Sequence, residues 1–150
     1  GVGAAVGPDV GRRHGGAAFG DLDGDGDEDV VVAVLNGPPV VLRNDLAPGR
    51  NWIAFDLRGK ESNRFAYGAV VRIRAGERWR MSACQPGSSF QSSNDPRPRF
   101  GLGDLRKADE VEVRWPSGKT ERWLDLAAGK VHSLVEGGGS DSRPASNSGR

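Results

Sequence analysis

Through the second half of the chain, apolar residues alternate with polar ones at a period of two, and this restricts the fold more than any other feature. Ile53, Phe55 and Leu57 share one parity against Trp52, Ala54 and Asp56. Val71, Ile73 and Ala75 oppose Arg72 and Arg74, and Val111, Val113 and Trp115 oppose Glu112 and Arg114. Successive side chains of an extended chain point to opposite faces, so each such segment buries one face and wets the other, as antiparallel sheets do. Leu124, Leu126, Val131 and Leu134 complete the apolar set. The pattern predicts about seven short strands and an all-β fold. The only rival is a single helical turn over residues 102–109. Trp115-Pro116-Ser117-Gly118 predicts a type I turn, with proline at its second position and glycine at its fourth.

The first half is less regular. Residues 1–15 are glycine-rich and read as a linker; Gly1, Gly3 and Gly7 lack the spacing of a nucleotide loop, and no strand precedes them. Residues 16–19 form a short strand. The β-branched run over residues 30–35 predicts a strand buried on both faces. Asn36-Gly37-Pro38-Pro39 is a turn, residues 40–43 return as a strand, and the polar stretch over residues 44–50 is the candidate domain boundary. The expected organisation is a linker (1–15), a first β unit (16–47), a second β domain (48–136) and a disordered tail (137–150), which has almost nothing to bury. The chain opens Gly1-Val2-Gly3 and is expected to be a C-terminal piece of a longer protein.

The strongest chemical signal is Asp21-Leu22-Asp23-Gly24-Asp25-Gly26-Asp27-Glu28-Asp29. Carboxylates this dense repel one another unless a cation sits among them. Aspartates at loop positions one, three and five converge, Gly26 at position six allows a sharp turn, and position seven offers a carbonyl, the oxygen-rich set that Ca²⁺ takes. An EF-hand opens in the same way but needs flanking helices and a bidentate Glu at position twelve. Here that position is Val32, and the exit segment is β-branched. The expected ligands are therefore the side chains of Asp21, Asp23, Asp25 and Asp29 and the carbonyl of Asp27. The competing reading is a solvated acidic turn.

Ala17-Ala18-Phe19-Gly20, this loop and the valine-rich strand after it resemble an FG-GAP/VCBS repeat. The resemblance implies one partial blade of a β-propeller with Ca²⁺ in the loop between two strands, and the same ligands. One blade cannot close a ring, so further blades of the same polypeptide are the expected partners. The second half resembles the ASPIC/UnbV domain, family of the cartilage acidic proteins, through four stretches in order: Asn63-Arg64-Phe65-Ala66-Tyr67-Gly68-Ala69, Gly87-Ser88-Ser89-Phe90, Phe100-Gly101-Leu102-Gly103 and Val113-Arg114-Trp115-Pro116-Ser117-Gly118. This implies a β-sandwich-like domain following the repeats, in an extracellular, cell-surface or periplasmic protein. Read physically, Gly68, Gly87, Gly101 and Gly103 suit bends, and Trp115 and Phe100 suit the core.

Two further surfaces are candidates. Ser88, Ser89, Phe90, Gln91, Ser92, Ser93 and Asn94 form a polar stretch that reads as a ligand-facing loop or an ordinary hairpin loop. Six of the 20 acidic residues lie in the metal loop, so elsewhere the 21 Lys and Arg prevail. Arg72, Arg74, Arg78 and Arg80 form a basic patch if both pairs share one face; otherwise they are a solvated face with ion pairs to Glu112 or Glu121. Catalysis has little support: His14 and His132 accompany no recognisable nucleophile motif, and the single Cys84 reads as a small buried residue. No apolar run nears the roughly 20 residues of a membrane helix. The expected function is a calcium-binding, non-catalytic adhesion or recognition module with an unknown protein or glycan partner. The alternatives are a glycan-directed accessory domain of a larger exported enzyme and a polyanion-binding module, with nucleic acid disfavoured.

Overall fold

The computed structural model describes residues 14–45, 49–87 and 92–141, and every regular element among them is a strand. No described helix is long and apolar enough to cross a membrane. The chain forms two compact units, residues 1–50 with 85–96, and residues 51–84 with 97–150.

The first unit holds an antiparallel sheet of β1 (His14–Gly20), β2 (Asp29–Val34) and β3 (Val40–Leu42) in that order. Strand β1 begins inside the segment expected to be linker; residues 1–13 lie outside the described ones. The register pairs Phe19 with Val30 and Val30 with Leu42 on one face, and Ala18 with Val31 and Val31 with Val41 on the other. Directly paired residues share a face, so both faces of this sheet are apolar. The expectation of a β2 strand buried on both faces is corrected: Val30, Val31 and Val32 are half-buried and Ala33 is exposed. A three-stranded sheet has too little of its own to cover two apolar faces. In the β2–β3 turn, Asn36 takes a φ of 59°, a region that asparagine tolerates.

The second unit stacks two sheets. A three-stranded sheet has the order β10 (Lys130–Val135), β4 (Asn51–Arg58), β7 (Arg99–Gly103). A five-stranded antiparallel sheet has the order β11 (Ser140–Asp141), β9 (Thr120–Ala127), β8 (Lys107–Arg114), β5 (Val70–Ala75), β6 (Arg78–Ala83). The alternating residues named above meet between them: Ile53, Phe55 and Leu57 from β4 pack with Val71 and Ile73 from β5, Val111 and Val113 from β8, and Trp115. Phe55 meets Phe100 edge to face, with centroids 6.1 Å apart. Truncating such a ring to Ala typically costs about 3–5 kcal/mol. One pair departs from the antiparallel pattern, since β4 and β10 run parallel.

The rival helical turn at 102–109 is absent. Gly103 at a φ of 62° ends β7, Leu105 N–H bonds the Leu102 carbonyl at 3.2 Å, and β8 begins at Lys107, which pairs with Ala127 of β9. The turn after Trp115 forms as expected, Gly118 N–H bonding the Trp115 carbonyl at 2.9 Å. Of the four glycines assigned to bends, Gly68 and Gly103 take positive φ. The tail expectation is corrected for residues 137–141. Gly137 turns the chain at a φ of 86°, and β11 pairs with β9, Ser140 opposite Arg122. Gly139 lets the backbone lie against Trp123, where a Cβ would sit 2.9 Å from the indole. Residues 142–150 lie outside the described ones.

Candidate metal centre

The acidic loop joins β1 to β2, and its own backbone amides fold it. Asp21 accepts Gly24 N–H at 2.7 Å and Gly26 N–H at 3.2 Å; Asp25 accepts Asp27 N–H at 2.9 Å. Gly24 and Gly26 take φ of 82° and 100°, conformations a Cβ disfavours, which tighten the turn. Asp29 is 1% exposed. One of its oxygens accepts Leu22 N–H at 2.9 Å and the other Asn44 N–H at 2.8 Å, so it fastens both ends of the loop to the exit of β3.

This winding brings carboxylates into two overlapping groups, Asp21 with Asp23 and Asp29, and Asp23 with Asp25 and Asp45, each with one oxygen apiece within 4.8 Å of the others. Four of the five expected ligands are thus brought together, although Asp25 joins Asp23 on the Asp45 side. The Asp27 side chain belongs to neither group. Asp45 was missed. The signal was present: the turn at residues 36–39 returns the chain antiparallel to β2, Val30 opposite Leu42, which carries residues 43–45 back beside the loop. Arg43 lies there too, its Nε 2.8 Å from Asp45 and its Nη1 3.7 Å from Asp23. The hydrogen bond from Asp45, then its charge and those of Asp23 and Asp25, hold the guanidinium pKa above its ordinary value. An all-oxygen, carboxylate-rich donor set fits a hard divalent cation.

The other expected sites fare differently. Ser88, Ser89, Phe90 and Gln91 lie outside the described residues. In the remainder of that stretch, Asn94 Oδ1 accepts Phe19 N–H at 3.0 Å and Phe19 O accepts Asp95 N–H at 3.0 Å, so this part secures β1. The basic patch does not share one face. Arg72 pairs with Met81 and Arg74 with Trp79, whereas Arg78 and Arg80 pair with Ala75 and Ile73. The pairs therefore project oppositely, because the tight β5–β6 turn sets the two strands one step out of parity. Arg80 reaches the Gly101 carbonyl. Arg72 bonds Glu112 at 3.3 Å and lies over Trp79, and Arg74 bonds Glu110 at 3.4 Å. Glu121 is no partner for these arginines; it is buried, accepting Trp115 Nε1–H at 2.9 Å and Gly137 N–H at 2.7 Å.

Glu136 was also missed. It is 2% exposed. Its Oε2 accepts the N–H groups of Lys60, Glu61 and Ser62 at 2.8–2.9 Å, and its Oε1 the hydroxyls of Ser62 and Ser117 at 3.0 and 2.5 Å. Burial pushes its pKa up, but the hydrogen bonds from Ser117, Ser62 and Lys60 outweigh that and hold it at about 2. Such a carboxylate is a weak base and serves as an anchor. No periodicity marks a glutamate ahead of a glycine run as buried.

The profile of the ASPIC and UnbV family matches residues 59–141, from the loop that Glu136 anchors to β11. The chain belongs to the ASPIC and UnbV family. It is 32% identical over 132 residues to cartilage acidic protein 1 of Homo sapiens, covering 84% of this chain and 19% of that protein. It is 32% identical over 140 residues to cartilage acidic protein 1 of Xenopus tropicalis, covering 89% of this chain and 21% of that protein. This ASPIC and UnbV chain thus spans about a fifth of the length of these relatives.

Proposed function

We propose that the chain is a calcium-binding, non-catalytic recognition module of an exported or cell-surface protein, its first unit one FG-GAP/VCBS-type blade and its second an ASPIC and UnbV domain. The observation that carries the metal reading is the convergence of Asp21, Asp23 and Asp29, and of Asp23, Asp25 and Asp45, at a loop wound by two left-handed glycines. Calcium tolerates irregular oxygen shells of six to eight ligands, which a flexible surface loop supplies more readily than the strict octahedron of magnesium. The blade reading is supported by a sheet apolar on both faces, which suits a layer stacked between others of the same polypeptide. An extracellular setting is supported by the relatives' name, which refers to cartilage. A non-catalytic role is supported by the engagement of both buried glutamates as anchors.

Calorimetric titration tests the reading. The parent chain is expected to bind Ca²⁺ with a Kd on the order of 10⁻⁴ to 10⁻³ M, the range of extracellular modules. Asp23→Ala, which removes the carboxylate common to both groups, is expected to abolish saturable binding. Unchanged binding in Asp23→Ala and Asp25→Ala would contradict the assignment.

A further inference from the structure

Two aromatic rings stand in solvent on the loop that follows the Glu136 anchor. Phe65 is 61% and Tyr67 39% exposed, and their rings stack 5.5 Å apart at 20°. The backbone beneath them is held firmly. Asn63 spans the loop, its Nδ2 donating to the Tyr67 carbonyl and its Oδ1 accepting Tyr67 N–H, both at 2.9 Å. Ala66 N–H bonds the Asn63 carbonyl at 2.8 Å, Gly59 N–H bonds the Arg64 carbonyl at 3.2 Å, and Cys84 Sγ donates to the Phe65 carbonyl at 3.4 Å. Ala66, between the two rings, takes a φ of 51° and is fully buried. A residue with a Cβ persists in that conformation only where its surroundings enforce it, and such residues cluster at binding sites. The buried methyl of Ala66 serves the core; the rings on either side of it, turned outward, do not.

The size of the patch selects the kind of partner. Two such rings carry about 200 Å² each and expose roughly half of it here, far below the roughly 800 Å² per partner of a stable protein interface. It matches a single sugar ring, whose C–H face stacks on the outer aromatic plane, the one not turned toward the neighbouring ring. The charge around it selects further. Lys60 and Arg64, in the same loop, are exposed, while Glu61 is neutralised by Lys119 at 2.5 Å. We propose that Phe65 and Tyr67 form a binding platform for an acidic oligosaccharide, with Arg64 and Lys60 supplying the charge that favours its carboxylates.

The test uses the full chain and follows the aromatic proton resonances of Phe65 and Tyr67 as a hyaluronan tetrasaccharide or neutral cellotetraose is added. Hyaluronan is expected to shift both saturably, and cellotetraose more weakly. Phe65→Ser and Tyr67→Ser are each expected to weaken binding about tenfold with only a small change in melting midpoint, because both rings lie at the surface and neither belongs to the core. Arg64→Gln is expected to weaken it less and to reduce its salt dependence. Excess EDTA is expected to leave the shifts intact, which separates this site from the calcium reading. Absent shifts in the parent, parent-like binding by Phe65→Ser, or cellotetraose binding as tightly as hyaluronan would overturn the proposal.

Discussion

The Asp21–Asp29 loop and the Glu136 anchor treat carboxylate charge in opposite ways. In the loop, aspartates face one another with Arg43 as the nearby cation, and several of their oxygens remain toward solvent. Around Glu136, three amides and two hydroxyls surround one buried carboxylate. A group satisfied by fixed donors stabilises the fold by itself. The loop aspartates accept backbone N–H groups as well, but they also face one another, which leaves repulsion that an external ion would relieve. On the proposed reading the anchor serves structure and the loop serves binding, and the two should respond differently to mutation, pH and metal.

The largest expected effect falls on the anchor. Glu136→Ala leaves three backbone N–H groups of residues 60–62 without their acceptor, and is expected to cost about 3–4 kcal/mol in urea unfolding of the second unit. The pH dependence follows from the depressed pKa. The Glu136 contribution is fully present above the unfolded value of 4.5 and is lost as pH falls toward about 2, on the order of 3 kcal/mol in all. Stability measured from pH 7 to 2 should fall across that window, and Glu136→Gln should flatten the fall. Gly59→Ala attacks the same loop from its backbone, since a Cβ there would lie 2.2 Å from the Asn63 carbonyl oxygen. It is expected to destabilise by about 2–3 kcal/mol. A neutral outcome would show that the loop shifts freely and that Glu136 does not fix it. At the small end, Arg72→Gln is expected to cost under about 1 kcal/mol, because the Arg72 guanidinium is about half exposed and its 3.3 Å contact with Glu112 is a single one. Asp23→Ala without calcium is expected to change stability by no more than about 0.5 kcal/mol.

The same contrast explains what the sequence disclosed. Alternation at 53–57, 71–75 and 111–115 reports burial directly, so the all-β class, the core of the second unit and the turn at residues 115–118 were legible. The clustering of the aspartates was legible because carboxylates close together in sequence need only one turn to meet. Asp45 and Glu136 act across the fold, on partners supplied by strand pairing; the strand returning after residues 36–39 pointed to Asp45, and no pattern pointed to Glu136. The arginine patch failed for a related reason. Parity within a strand is set by sequence, but parity between β5 and β6 is set by the turn, which pairs Ile73 with Arg80. The parallel β4–β10 pair is likewise a matter of chain path, with Lys130 brought beside Ile53.

The central claim, that one acidic region awaits a cation and the other does not, is tested most directly by adding Ca²⁺ to the ¹⁵N-labelled chain and following its amide resonances. Saturable shifts at Gly24, Gly26 and Asn44 are predicted, while Lys60, Glu61 and Ser62 stay in place up to roughly 10 mM, beyond the usual affinity of extracellular sites. Unmoved Gly24 and Gly26 resonances, or equal movement in both regions, would contradict it.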